Sequence, residues 1–190
     1  MGAYPGSGPA CITFTTSGSL APVFQEERVL MRRYWSIGAI AGSVVLADQV
    51  SKQLAMDAVP LWRSVPVIDG FFNLVHVQNR GAAFGFLNRE DTDWQFYFFA
   101  VVTFVAVLVL FYLAKTAKER SHLLFTSLGL ILSGAIGNFI DRCRFRHVVD
   151  FLDFHIGEWH WPAFNVADIA ITCGVILMLL NMLCSSRRKD

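Results

Sequence analysis

The chain has 190 residues, of which 54% are apolar, only 16% are charged and 14% are aromatic, with a net charge of +1. A soluble domain carries nearer a quarter charged residues, and a disordered chain lacks the apolar content found here. The charge balance offers no clustered basic face for nucleic acid, and so much apolar surface on a small chain calls for lipid.

Residues 1–30 stand apart from the rest. Gly, Ser, Pro and Thr dominate up to Ala21, and no Lys or Arg precedes Arg28. A secretory signal peptide needs a basic start followed by an apolar core, and this segment has neither. The expectation is a poorly structured extension over 1–30. Met31-Arg32-Arg33-Tyr34 offers an alternative start of translation, with basic residues directly before an apolar run.

Four apolar segments follow: Tyr34–Ala55, Trp94–Leu113, Leu123–Ile140 and Val166–Cys184. Each approaches the roughly 20 residues that a helix needs to cross hydrocarbon. Small residues recur in them, including Gly38, Gly42, Ser133, Gly134 and Gly137, where they allow close helix packing in lipid. The predicted architecture is a membrane α-helical protein with four transmembrane helices. One unit would span 31–186, followed by a basic tail over 187–190.

Lys and Arg set the orientation. With both termini cytoplasmic, the inner side holds Arg28, Arg32, Arg33, Lys115, Lys118, Arg120, Arg187, Arg188 and Lys189. The outer side holds Arg63, Arg80, Arg89, Arg142, Arg144 and Arg146, diluted by many acids. The two outer segments, 56–93 and 141–165, are more than connectors. Phe71–Val77 and Val148–Leu152 read as strands from their aromatic and β-branched content, the first preceded by the Asp69-Gly70 turn. Function is expected on that side.

Charges inside spans are costly and are candidates for function. Asp48 and Lys52 lie four apart on the first helix, the favourable order for an ion pair. They read as a structural pair, with Lys52 able to snorkel to the outer interface. Asn138, Asp141 and Arg142 share one face at the end of the third helix. Asn165 is a natural N-cap of the fourth helix, and Asp168 occupies its capping-box position. Asp150 shares a strand side with Val148 and Leu152, so it points where apolar residues point, with Asp153 on the other side.

Asp141, Asp150 and Asp168 thus gather at one membrane level. Two carboxylates in a low-dielectric site share one proton, so one can act as base on water while the other polarises a carbonyl. The same groups would also serve a proton relay in a small transporter, and spacing does not separate the two. Cys11, Cys143, Cys173 and Cys184 form no CxxC pair or metal-ligand spacing. No HExxH occurs, and His155, Glu158 and His160 are expected to solvate the outer loop. Neither metal nor cofactor is called for.

Five ordered blocks carry a family resemblance: Asp48-Gln49-Val50-Ser51-Lys52; Asn79-Arg80-Gly81-Ala82-Ala83-Phe84; Gly134-Ala135-Ile136-Gly137-Asn138 running into Asp141-Arg142; Val148-Val149-Asp150-Phe151; and Phe164-Asn165-Val166-Ala167-Asp168. Together they resemble the bacterial lipoprotein signal peptidases (signal peptidase II), membrane aspartic proteases, over about Tyr34 to Cys184. The resemblance implies an enzyme of the inner membrane that cleaves the signal peptide of a prolipoprotein before its diacylglyceryl-bearing cysteine. It implies Asp150 and Asp168 as the catalytic pair. Asn79, Gly81, Asn138, Asp141, Arg142 and Asn165 would bind substrate or support the pair, and Asp48 with Lys52 would be structural. It further implies a small extracytoplasmic β-rich cradle, with a lipid-modified precursor and membrane lipids as partners; the sequence does not determine the oligomeric state, for which a monomer is the expectation. Ser133 stands where the family often has a second Gly, and the leader over 1–30 matches nothing in it.

Overall fold

The computed structural model describes residues 21–81, 94–117 and 121–186. Residues 1–20, the stretch 82–93 with Ala82-Ala83-Phe84, Lys118 and Arg120, and the 187–190 tail lie outside the described residues. The elements run α1 (Ala21–Ala58), β1 (Ser64–Ile68), β2 (Phe72–Asn79), α2 (Trp94–Thr116), α3 (His122–Phe145), β3 (Val148–Ile156), β4 (Trp159–His160) and α4 (Val166–Ser186). α1 is much longer than the Tyr34–Ala55 segment, and its first turns occupy 21–30, within the expected extension. Its only proline, Pro22, falls in the first turn, where a missing N–H costs no helical hydrogen bond.

α2, α3 and α4 are long and apolar enough to cross a membrane. α1 falls short because Asp48, Gln49 and Lys52 interrupt its apolar run. Paired positions give the helix directions. Along α3, Ser121 just before the helix meets Asn181, Ser127 lies against Gly174, and Gly134 lies against Ala167, so α3 and α4 are antiparallel. Gly129 against Ile40 and Gly137 against Asp48 make α1 and α3 parallel. α3 is the central helix, and α2 exposes nearly all of its apolar surface, as a helix that faces lipid does.

Glycine lets the helices approach. A Cβ on Gly134 would lie 2.3 Å from the Ala167 carbonyl oxygen, and one on Gly174 would lie 2.7 Å from Ile131. At the opposite end, Ile37, Leu110, Ala114, Phe125 and Leu128 form a small apolar core. Ser121 caps α3 there through its Oγ, which accepts from Leu124 N at 3.4 Å.

The four strands form one antiparallel sheet in the order β1-β2-β3-β4. β2 and β3 extend the two predicted strands, while β1 and β4 were not located individually in the sequence. Val77 pairs with Asp150 and Asn79 with Val148, so the end of β2 is fixed beside the start of β3. β3 does not have one apolar and one solvated side: Val148, Val149, Asp150, Phe151 and Asp153 are all buried. α1 and α3 pack against β3, and its neighbours β2 and β4 hold Asp153. Asp153 is held by Asn73 at 2.9 Å and by His160 at 2.9 Å. His155 stacks on His160 at 4.6 Å between centroids, so these two rings build the β3–β4 hairpin, with His160 the exposed one.

Candidate active site

The chain enters α4 through Phe164-Asn165, and the expected capping box forms. Asp168 N donates to Asn165 Oδ1 at 3.0 Å, and Asn165 N donates to Asp168 Oδ2 at 3.2 Å. The box leaves Asp168 Oδ1 free of backbone, and Asn138 Nδ2 donates to it at 2.8 Å across the α3–α4 contact. The close approach at Gly134, one turn below Asn138, makes that bond possible.

Asp150 reaches the same point from β3. Its Oδ1 accepts from Asn165 Nδ2 at 2.7 Å, and its Oδ2 accepts from Asn79 Nδ2 at 3.1 Å. Asn165 is fully buried and therefore touches both carboxylates, one through its side chain and one through its backbone. Burial pushes the Asp150 carboxyl up from 3.8 to about 7, and the charge of Asp168 pushes the same way. The hydrogen bonds from Asn79 and Asn165 and the Lys52 charge pull it down and lose to desolvation.

Both acids line a cleft of about 510 Å³, with Asn79, Gly81, Asn138 and Arg142. Trp161, Phe164, Ile169, Ile171 and Thr172 supply much of the rest of its wall. The cleft is therefore mostly apolar, with its polar groups converging on one spot, as a binding site for a largely apolar ligand requires. Arg142 is anchored by donation from Nη2 to Gly81 O at 3.0 Å and from Nη1 to Asn138 O at 3.4 Å. Its guanidinium lies 4.2 Å from the Phe99 ring centroid, and its buried Nε has no partner among the described residues. Gly81 N donates to Asn79 Oδ1 at 2.9 Å, which fixes the Asn79 amide with its NH₂ towards Asp150.

Asp48, Lys52 and Asp141 lie behind the cleft and are almost wholly buried. Lys52 does not snorkel. Its Nζ sits 2.9 Å from Asp48 Oδ2 and 2.8 Å from Asp141 Oδ2, and donates to Asn138 Oδ1 at 3.0 Å. Three acceptors inside the bundle use all three ammonium protons, so the side chain has no reason to reach for water. The expected Asp48–Lys52 pair is present, with Asp141 as a third member.

One polar residue of the cluster was missed by reading the sequence. Gln49 Nε2 donates to Asp141 Oδ1 at 2.8 Å and lies 3.2 Å from Asp48 Oδ2. An amide beside a buried acid in an apolar helix was the available signal. Trp161 and Thr172 carried no such signal, because only the folding of the hairpin and α4 around the cleft brings them there.

Comparisons with known proteins place the chain in a family. The sequence profile of the signal peptidase (SPase) II family matches residues 40–184. A lipoprotein signal peptidase of Nitratidesulfovibrio vulgaris is 51% identical over 154 residues, covering 81% of this chain and 93% of that protein. One from Oleidesulfovibrio alaskensis is 52% identical over 148 residues, covering 78% and 94%. A bacterial membrane enzyme solved by the in meso method superposes with a TM-score of 0.72 at 34% identity, over 81% of this chain and 91% of that one. A matching profile over most of the chain and half-identical relatives over nearly their full length place it: this chain belongs to the signal peptidase II family.

Proposed function

We propose that Asp150 and Asp168 are the catalytic pair with which this peptidase removes the signal peptide from lipoprotein precursors. The protein is a protease by family, and a transporter role for its carboxylates has no support. The observation that carries the assignment is Asn165, which donates to both acids at the floor of the cleft. Burial holds the Asp150 carboxyl at about 7, so near neutral pH the pair can share one proton. One carboxylate then takes a proton from water as that water attacks the scissile carbonyl, and the other donates to the carbonyl oxygen. Asn79, Asn138 and Asn165 keep the two acids oriented. Arg142, with its open Nε, is placed to hold the substrate backbone, and Gly81 supports Arg142 and Asn79 from the cleft wall.

α1 is the fourth transmembrane helix. Asp48 and Lys52 are satisfied inside the bundle, and its outward residues Trp35, Leu46, Val50 and Leu54 are apolar. Both termini are cytoplasmic, and the sheet and cleft face the outer side, following the Lys and Arg bias. The peptidase unit spans 31–186 and works as a monomer among membrane lipids. Its substrate is cut before a diacylglyceryl-modified cysteine. At about 0.8 kcal/mol for each buried methylene, the acyl chains keep that substrate beside the helices.

The test is a gel-shift assay on a diacylglyceryl-modified precursor. Asp150→Asn and Asp168→Asn each abolish conversion while the protein remains folded. Full turnover by either variant would refute the assignment.

A further inference from the structure

Lys52 does not line the cleft, yet it is bonded to groups that contact both members of the proposed pair or the backbone beside them. Its partner Asp48 accepts Ala167 N at 2.9 Å through Oδ1, which fixes the backbone directly before Asp168. Its partner Asp141 accepts Val149 N at 3.2 Å, which fixes the backbone directly before Asp150. Its third bond is to the Asn138 side chain. An ammonium group can only donate, so the amide oxygen of Asn138 must face Lys52. The NH₂ of Asn138 is thereby turned towards Asp168 Oδ1, 2.8 Å away. A weaker contact from Asn165 Nδ2, at 3.2 Å from Asn138 Oδ1, acts in the same sense, but that NH₂ is also shared with Asp150 and Val149 O.

We propose that Lys52 is a positioning residue of the cleavage reaction: by holding the Asn138 amide oxygen, it commits the Asn138 NH₂ to Asp168 and so orients and stabilises the Asp168 carboxylate. This rests on Asp150 and Asp168 being the catalytic acids. With the amide reversed, the Asn138 oxygen would face Asp168, and that contact could form only if Asp168 carried the proton. The amide orientation therefore favours the carboxylate form of Asp168. The charged groups around Lys52 are Asp48 on its own helix, Asp141 and Arg142 on α3, Asp150 on β3 and Asp168 on α4. Among the described residues the ammonium is the positive charge embedded in the acidic cluster, and Arg142 is the one at the cleft wall.

The experiment uses the full chain in detergent micelles with a diacylglyceryl-modified precursor. Lys52→Met combined with Asp48→Asn removes one positive and one negative charge together, and the new amide at position 48 can still accept from Ala167 N. The expected results are a fall in kcat of about tenfold, KM within about twofold of wild type, and an acid limb of the kcat/KM profile about one pH unit higher. These correspond to the loss of one hydrogen bond to a charged group. Asn138→Ala leaves Lys52 paired with both of its carboxylates and raises the acid limb in the same direction. Adding it to the double variant moves the limb no further, because Lys52 acts through Asn138. An acid limb that stays in place in the double variant or in Asn138→Ala, or shifts that simply add, would overturn the proposal. Asp150→Asn and Asp168→Asn run alongside. Turnover by either would overturn the catalytic assignment itself, whereas an unmoved limb with both inactive would overturn the role of Lys52 alone.

Discussion

Gly134→Ala isolates the helix contact on which the site depends. The added methyl carbon would lie 2.3 Å from Ala167 O and 2.5 Å from Ile171 Cγ1, where real contacts do not fall below 3.0 Å. One obstacle is backbone, so it cannot swing away, and α3 and α4 must part by about 0.7 Å or more at this level, the difference between 3.0 and 2.3 Å. Asn138 is one turn along α3 and Asp168 follows Ala167, so the same separation stretches the 2.8 Å Asn138–Asp168 bond to about 3.5 Å, the limit of a hydrogen bond. A misplacement of that size costs about 10²-fold in rate, and overpacking costs about 1–3 kcal/mol in stability. Precursor turnover and thermal unfolding in detergent measure the two effects. Gly38→Ala is the control, since nothing lies within 4 Å of its new carbon. Wild-type turnover and an unshifted Tm in Gly134→Ala would refute the reasoning.

The buried Asp150 carboxyl also makes stability depend on pH. Its folded pKa of about 7 exceeds the ordinary 3.8, so the folded state binds more protons between those values and stability falls as pH rises through that window. The full effect is about 4 kcal/mol at most. Asp150→Asn removes this component, so its Tm declines less than that of wild type between pH 4 and pH 7; parallel curves would contradict the cause assigned. The orientation is open to thiol labelling, because Cys143 and Cys184 are both exposed, at opposite ends of the bundle. A variant keeping only Cys143 should react with an impermeant maleimide in intact spheroplasts, and one keeping only Cys184 should react only after permeabilisation. The reverse pattern would invert the topology.

Much of the protein could be read from the chain alone, because lipid imposes simple rules. A run such as Trp94–Leu113 has one stable solution in hydrocarbon, and local chemistry decides the Asn165–Asp168 capping box wherever that helix goes. The five motif blocks then identified the family and named the acids. What local rules cannot specify is which distant groups share one partner. Periodicity placed Lys52 at the end of a helix, where its long stem usually carries the charge to water. Only the packing of α1 on α3 adds Asp141 and Asn138 to the local Asp48 pair. Tertiary packing likewise raises Asp150, since desolvation and a neighbouring carboxylate act through space and not along the chain. Sequence determined the helices, the caps and the identity of the polar residues. Tertiary structure decided which of those residues face the cleft and which lie behind it, because glycine contacts such as Gly134 on Ala167 set how closely the elements carrying them can meet.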